Sequence, residues 1–324
     1  MNRIWRGFQG SIIFVLAFAA AVNAFDVRQA LRNGLGDLKA TRGDPRLCVL
    51  TDATYVRVDG KTTEVYVDVI QEETGCTVGG GNLLFFHRPM DYPVKIAIFR
   101  RETEECVVIS YDGTQKRRKK YDLGFKAVSK PEFWIELSPP LGPDTFTVVS
   151  LSHAWAAGVP YDLLKSAEFH GHFCPAIAAG HVMAQYIISN YPLKEGESYT
   201  WIASPPWCKD DALQLLLHLT PGKKRLYAQG MTASQKEALT FDNPAGTLLI
   251  SGEDKTKTRA VVFSFDWNKV RQEDKLKMAL SMIPYLEKPE ELVKVVKETR
   301  VTPEVVQRLT TAETNPYKWL GLTR

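Results

Sequence analysis

Two imidazoles and a thiol fall within five residues at His170, His172 and Cys174, in the run Phe169-His170-Gly171-His172-Phe173-Cys174-Pro175. Imidazole and thiolate together suit zinc or another borderline-to-soft divalent ion. Gly171 allows close backbone approach, and Pro175 fits the first turn of a helix. That places Cys174 at or near a helix N-terminus, where backbone amides and the macrodipole favour a thiolate. A single histidine would read as an ordinary loop or capping residue; the cluster reads as a site.

A second group, Trp207-Cys208-Lys209-Asp210-Asp211, opens a further amphipathic helix over Lys209–Leu217. Cys208 is either another metal ligand or the disulfide partner of Cys174. Asp211 can orient a ligand, act as a general base, or simply complement the helix dipole. Trp207 can face a flat ring or pack in the core. If the site is catalytic, Lys209 or Lys223 would hold an anionic substrate. A third group runs from Thr74 through Cys76, Thr77 and Gly79-Gly80-Gly81 to Leu83. Its glycines can expose N–H groups to an anion or a cofactor edge, but it lacks the Lys-Ser/Thr ending of a phosphate-binding loop. Cys48 and Cys106 sit in predicted strands as core residues, with a disulfide between them left open. His181 is expected to be a packed or surface residue.

The elements that must position these residues predict an α+β chain of 324 residues. A helix is expected over Asp26–Ala40 and strands over Leu47–Val58, Leu83–Phe86, Val94–Phe99 and Cys106–Tyr111. Lys116–Lys120 reads as a solvated hairpin loop, and Ser138–Thr145, with three prolines, as a linker. In the second half, helices are expected over Pro160–Phe169 and Pro175–Tyr191. Strands are expected at Tyr199–Ala203, Lys224–Ala228, Thr247–Ser251 and Val261–Phe265. A helical extension follows, including Pro289–Lys297 and Pro303–Leu309. A net charge of +4 gives no reason to expect a nucleic-acid partner.

Residues 1–24 have the pattern of a secretory signal peptide. Arg3 and Arg6 precede an apolar run from Ile12 to Val22, and small residues end at Ala24. The expected product is exported to the periplasm or beyond, with no membrane span after cleavage. Asp68-Val69-Ile70-Gln71 lines up with Asp211-Ala212-Leu213-Gln214 at an offset of 143 residues. Without a gap, Thr77 then falls on Thr220, Gly79 on Gly222 and Leu83 on Leu226. This register suggests a duplicated unit. The expected organisation is a signal peptide (1–24), a degenerate first unit (25–150), a second unit with the His/Cys motif (151–266) and a helical extension (267–324). The two units would form a pseudo-dimer, and further homodimerisation is left open.

Taken together, the three motifs resemble the FmdE family, named for a component of formylmethanofuran dehydrogenase. Its pattern is similar to HGHxCPG, followed by CxxDAIQ and TGCTxGKGNL. The resemblance implies an α+β core that dimerises around a metal-binding cleft. Carried over, it points to His172, Cys174 and Cys208, with His170 and Asp211 close by and Cys76 and Thr77 contributed by the first unit. Ala176 stands where the family pattern has glycine, the first unit has no HGHxC motif, and no cysteine follows Cys208. One composite site per chain fits both degenerate halves. The expected function is an exported protein binding a divalent transition metal, zinc before nickel or cobalt, or a metal-containing cofactor such as a tetrapyrrole. The alternatives are a metal-dependent enzyme acting on a small anionic substrate, with Asp211 as base, and a thiol-disulfide or structural protein.

Overall fold

The computed structural model describes residues 27–270, 272 and 274–324. The expected signal segment lies outside them. The chain forms two compact units that divide between Ala156 and Ala157.

The first unit opens with helix α1 (residues 27–37). Strands β1 (Leu47–Thr51), β2 (Arg57–Val58) and β3 (Lys61–Thr62) follow, then helix α2 (Val65–Thr74) and strand β4 (Leu83–Phe85). Next come β5 (Val94–Arg100), β6 (Glu105–Tyr111) and β7 (Lys116–Asp122), and finally helices α3 (Phe125–Val128), α4 (Pro131–Leu141) and α5 (Thr145–Ala156). The main sheet has the order β4-β1-β5-β6-β7, with β1 and β4 parallel and the other pairs antiparallel. Alternation along the strands sends Val49, Ile96, Ile98, Val107 and Ile109 to one face, where Leu31, Leu35, Val69 and Ile70 of α1 and α2 bury them. Each fully buried side chain of this kind is worth roughly 1.5–3 kcal/mol. On the other face, α5 packs on β1 and α4 on β6.

The second unit contains helices α6 (Tyr161–His170) and α7 (Pro175–Asn190), β8 (Ser198–Ala203), α8 (Lys209–Leu216), β9 (Leu226–Ala228), α9 (Ala233–Glu237), β10 (Pro244–Ser251) and β11 (Arg259–Phe265). It ends with α10 (Lys275–Leu280), β12 (Val293–Arg300), α11 (Pro303–Leu309) and α12 (Pro316–Trp319). Its sheet has the order β12-β11-β10-β8-β9, again with one parallel pair, β8 and β9. Ile202, Leu249 and Val262 pack against Leu309, Tyr317 and Leu320 on one face. On the other, Tyr186 of α7 meets Phe263 edge-on.

The two sheets share one connection order. In each, a strand–helix–strand crossover (β1-α2-β4, β8-α8-β9) makes the parallel pair. The next strand returns antiparallel to the far side of the first, and two more antiparallel strands extend the sheet. The offset of 143 residues holds from the crossover helix onward, overlaying α2 on α8 and bringing β4 onto β9 end to end, but it does not extend back to β1 and β8.

Several expected elements differ. Pro289–Lys297 is not a helix: a single 3-10 turn starts at Pro289, and β12 then forms the sheet edge beside β11. The pairing of β12 with β11 shifts register between Val262 and Phe263, opposite Val295–Lys297, so adjacent Val295 and Val296 break the alternation that marks a strand in sequence. Ser138–Thr145 is not a linker. It is taken up by the end of α4, a 3-10 turn over Gly142–Asp144 and the start of α5. Lys116–Lys120 is an edge strand, held by backbone pairing to β6, and its exposed charges suit an unpartnered edge. Cys48 and Cys106 lie on β1 and β6 with Phe99 of β5 paired between them. Two strand spacings of about 4.8 Å are too wide for a disulfide.

Candidate metal centre

The α6–α7 elbow assembles the first cluster. Helix α6 ends at His170, and Gly171 follows with φ of 94°, the left-handed conformation that closes a helix C-terminus. No atom crowds a Cβ at Gly171, so backbone conformation rather than space calls for glycine there. The chain then turns through His172 and Phe173, and Phe173 is fully buried. Cys174 is the N-cap of α7: its Sγ accepts a hydrogen bond from the Ile177 amide at 3.5 Å, and Pro175 fills the first helical position. One ligand atom each from His170, His172 and Cys174 lie within 4.8 Å of one another, a group that can hold a metal ion.

Helix α8 brings the second cluster to the first. Cys208 is its N-cap residue, with Asp210 and Asp211 in the first turn. Helices α7 and α8 cross closely at Gly180. A Cβ there would sit 2.8 Å from the Ala212 Cβ and inside contact distance of the Lys209 carbonyl. This close crossing places Cys208 within reach of Cys174 and His170.

Nδ1 of His170 donates to Oδ2 of Asp211 at 2.7 Å. A carboxylate in this position only accepts, so the proton belongs on Nδ1, and Nε2 is the nitrogen that can offer a lone pair. Nε2 is buried and has no hydrogen-bond partner. Burial opposes charge on this ring, but Asp211 and Cys208 outweigh it and hold His170 up to about 9. Burial and the neighbouring His170 charge push His172 down. Cys174 and Cys208 share one proton. The Cys174 thiol hydrogen-bonds Cys208, drawing the Cys208 pKa down and raising that of Cys174. Both are free thiols, not a disulfide. A buried imidazole nitrogen without a partner, a shared thiol proton and a carboxylate behind the histidine fit a soft divalent cation.

The other expected residues have local surroundings of their own. Lys209 does not present its ammonium to a substrate. Its Nζ is buried, 2.9 Å from both carboxylate oxygens of Asp210 and 3.2 Å from the Pro205 carbonyl. Asp210 also accepts from Trp201 Nε1 and from the Trp207 amide, each at 2.7 Å. Sequence reading passed over this buried hub, whose only signal was two adjacent carboxylates at a helix start. Lys223 is exposed beside His218. Trp207 is 57% exposed, so it is not core; its ring lies 5.3 Å from that of Trp267, and both line a cavity of about 480 Å3. In the first unit, burial pushes the Cys76 thiol up to about 11, and it points at the Leu47 carbonyl at 3.7 Å. Thr77 organises its own turn, its Oγ1 accepting from the Gly80 amide. His181 is buried and bonded to Asp162 at 3.0 Å.

Among the described residues, no helix is long and apolar enough to cross a membrane. No curated protein matches the chain. Residues 169–312 match the family described as FmdE, molybdenum formylmethanofuran dehydrogenase operon. The match begins one residue before the His/Cys motif and runs past Asp266 to include β12 and α11, so the family portion is longer than the motifs alone indicate. The segment that carries the His/Cys cluster is thus similar to the FmdE family.

Proposed function

We propose that this is an exported metal-binding protein with one site per chain. His170 (through Nε2), His172, Cys174 and Cys208 hold a divalent transition metal, zinc first. Asp211 orients His170 and fixes its tautomer; in this reading it is a positioning residue and not a general base. The observation that carries the proposal is the grouping of one ligand atom each from His170, His172 and Cys174 within 4.8 Å of one another, with Asp211 behind His170 and Cys208 beside it. A divalent cation bound there would supply a Lewis-acidic charge. The protein's own part is to orient His170 through Asp211, keep His172 neutral by burial beside the His170 charge, and keep a thiolate ready on Cys208, with the His170 proton given up as the cation binds. The shared strand order of the two units supports a tandem origin in which only the second copy keeps the metal-binding residues.

Metal analysis of the purified chain tests the site. About one equivalent of metal is expected in the native chain and well under a tenth in Cys174→Ser. Equal contents would overturn the proposal. Fractionation of expressing cells tests export, with the mature chain expected outside the cytosol.

The exposed Trp207 supports a second reading, in which the bound species is a metal-containing planar cofactor lying against the Trp207–Trp267 wall. A visible absorption band that co-purifies with the protein and is lost in Trp207→Ala favours it over a bare ion.

A further inference from the structure

A second concentration of charge, in the first unit, has no part in the metal centre. A cavity of about 700 Å3 opens on the face of the β4–β7 sheet opposite α1 and α2. Strand register sets its floor. Lys95, Ser110 and Arg117 pair in one row across β5, β6 and β7, and Val108 pairs with Lys119 in the next. Arg88, from the segment after β4, closes one side and is 91% buried.

Two cations are therefore buried in one wall, a costly arrangement unless they are compensated. Asp144 answers both, 2.5 Å from Arg88 and 3.8 Å from Lys95. Asp144 is the carboxylate that ion-pairs with both; buried Asp52 also lies in their field, with its carboxyl pushed up to about 7, and the buried Nε of Arg88 has no partner. The Lys95 ammonium also donates to the Leu141 carbonyl at 2.7 Å. Lys119 pairs with Glu136. Arg117 hydrogen-bonds the Gln115 side chain at 3.0 Å and, among the described residues, pairs with no carboxylate. Edge protection accounts for surface charges along β7. It does not account for Arg88 and Lys95, which are inside. Arg118, paired with Asp37 at 3.4 Å, also reaches the lining, and the remainder is apolar or aromatic, with Val108, Tyr92 and Tyr121 prominent.

We propose that this cavity binds a small phosphorylated molecule, with its phosphoryl group between Arg88, Lys95, Arg117 and Lys119 and its organic body against Tyr92 and Tyr121. The donors come from the strand row and from the loop side, directions that suit a tetrahedral oxyanion better than a planar carboxylate. Guanidinium groups match phosphoryl oxygens in pairs, and Lys95 adds a point charge. The volume lies in the range of small-molecule sites and exceeds what a bare ion needs.

Calorimetric titration of the purified chain with phenyl phosphate tests this. Saturable binding at one equivalent is expected, with phenol silent and benzoate at least tenfold weaker. Arg117→Gln and Lys119→Gln, on an exposed edge strand where folding should survive, are each expected to weaken binding about tenfold while leaving the thermal midpoint near that of the parent. Cys174→Ser should bind phenyl phosphate normally, which separates this site from the metal centre. No saturable binding, undiminished binding in both β7 variants, or loss of binding in Cys174→Ser would each overturn the assignment. Inorganic phosphate binding as tightly as phenyl phosphate would refute the role given to the organic body.

Discussion

Nδ1 of His170 donates to the Asp211 carboxylate at 2.7 Å, and this single bond decides which nitrogen of the ring faces the cluster. Asp211 lies in the first turn of α8 and His170 is the last residue of α6, so the bond also ties two helices together at the site. Asp211→Asn keeps the shape but loses the charge and allows the wrong tautomer. We expect metal affinity to fall about 10- to 100-fold, the usual cost of losing a carboxylate behind a ligating histidine. Competition with a chromophoric chelator measures it. Affinity within twofold of the parent would rule out the orienting role.

Metal capture should be proton-coupled. Without metal, His170 is held up to about 9 and Cys174 is raised by Cys208, so near neutrality a cation must displace protons from these groups. Below the pKa each displaced proton changes apparent affinity about tenfold per pH unit. Affinity is therefore expected to be at least about a hundredfold weaker at pH 6 than at pH 8. Chelator competition at both pH values, with proton release followed in weak buffer, checks the direction. A flat profile would mean that these groups are not ligands.

Gly180→Ala places a methyl group between α7 and α8, where the Lys209 carbonyl and Ala212 already sit. Overpacking of this kind costs about 1–3 kcal/mol. The α8 start would shift with it, separating Cys208 from Cys174. Urea unfolding should show the loss of stability, and metal content should fall in parallel. Full stability with full metal loading would show that the helices can part without harm.

Lys209→Met leaves Asp210 buried without its cation. Removing one member of a buried pair typically costs about 3–5 kcal/mol. Asp210 also anchors Trp201 and the Trp207 amide, so indole fluorescence should change along with the denaturation midpoint. An unchanged midpoint would show that the pair is dispensable.

Burial drives Asp52 up to about 7, and the Lys95 amide and the Lys95 and Arg88 charges offset only part of that effect. Its folded pKa lies above the unfolded value of about 3.9. The folded state therefore holds the extra proton between about pH 4 and 7, and this group's contribution to stability declines as pH rises through that window. The total change is on the order of a few kcal/mol. Asp52→Asn should remove the decline, so its stability relative to the parent improves from pH 4 to pH 7. Parallel stability profiles for the two chains would contradict this.

The residue types of the metal centre were readable directly, because His170, His172 and Cys174 are close in sequence and Pro175 marks the helix they abut. Their support was not. Nothing in the spacing reveals that Asp211 meets His170 across two helices, or that Lys209 turns inward to Asp210, since burial depends on how α8 seats against α7. The crossover shared by the two units was legible where α2 and α8 keep a gapless register, and it ended where the later strands differ in spacing. Edge strands escaped notice for a related reason. Lys116–Asp122 has almost no apolar content and is a strand only because β6 offers it a ladder. Around Ser138 the prolines drew attention to a break, while Trp134, Leu137 and Leu141 already recur at helical spacing and continue α4.

The bend at Gly171 has a further consequence. Because the backbone itself sets the separation of His170 from Cys174, the grip is already shaped before any guest arrives. Capture then requires no slow rearrangement and little loss of chain freedom, so retention should be governed by how rarely the elbow springs open.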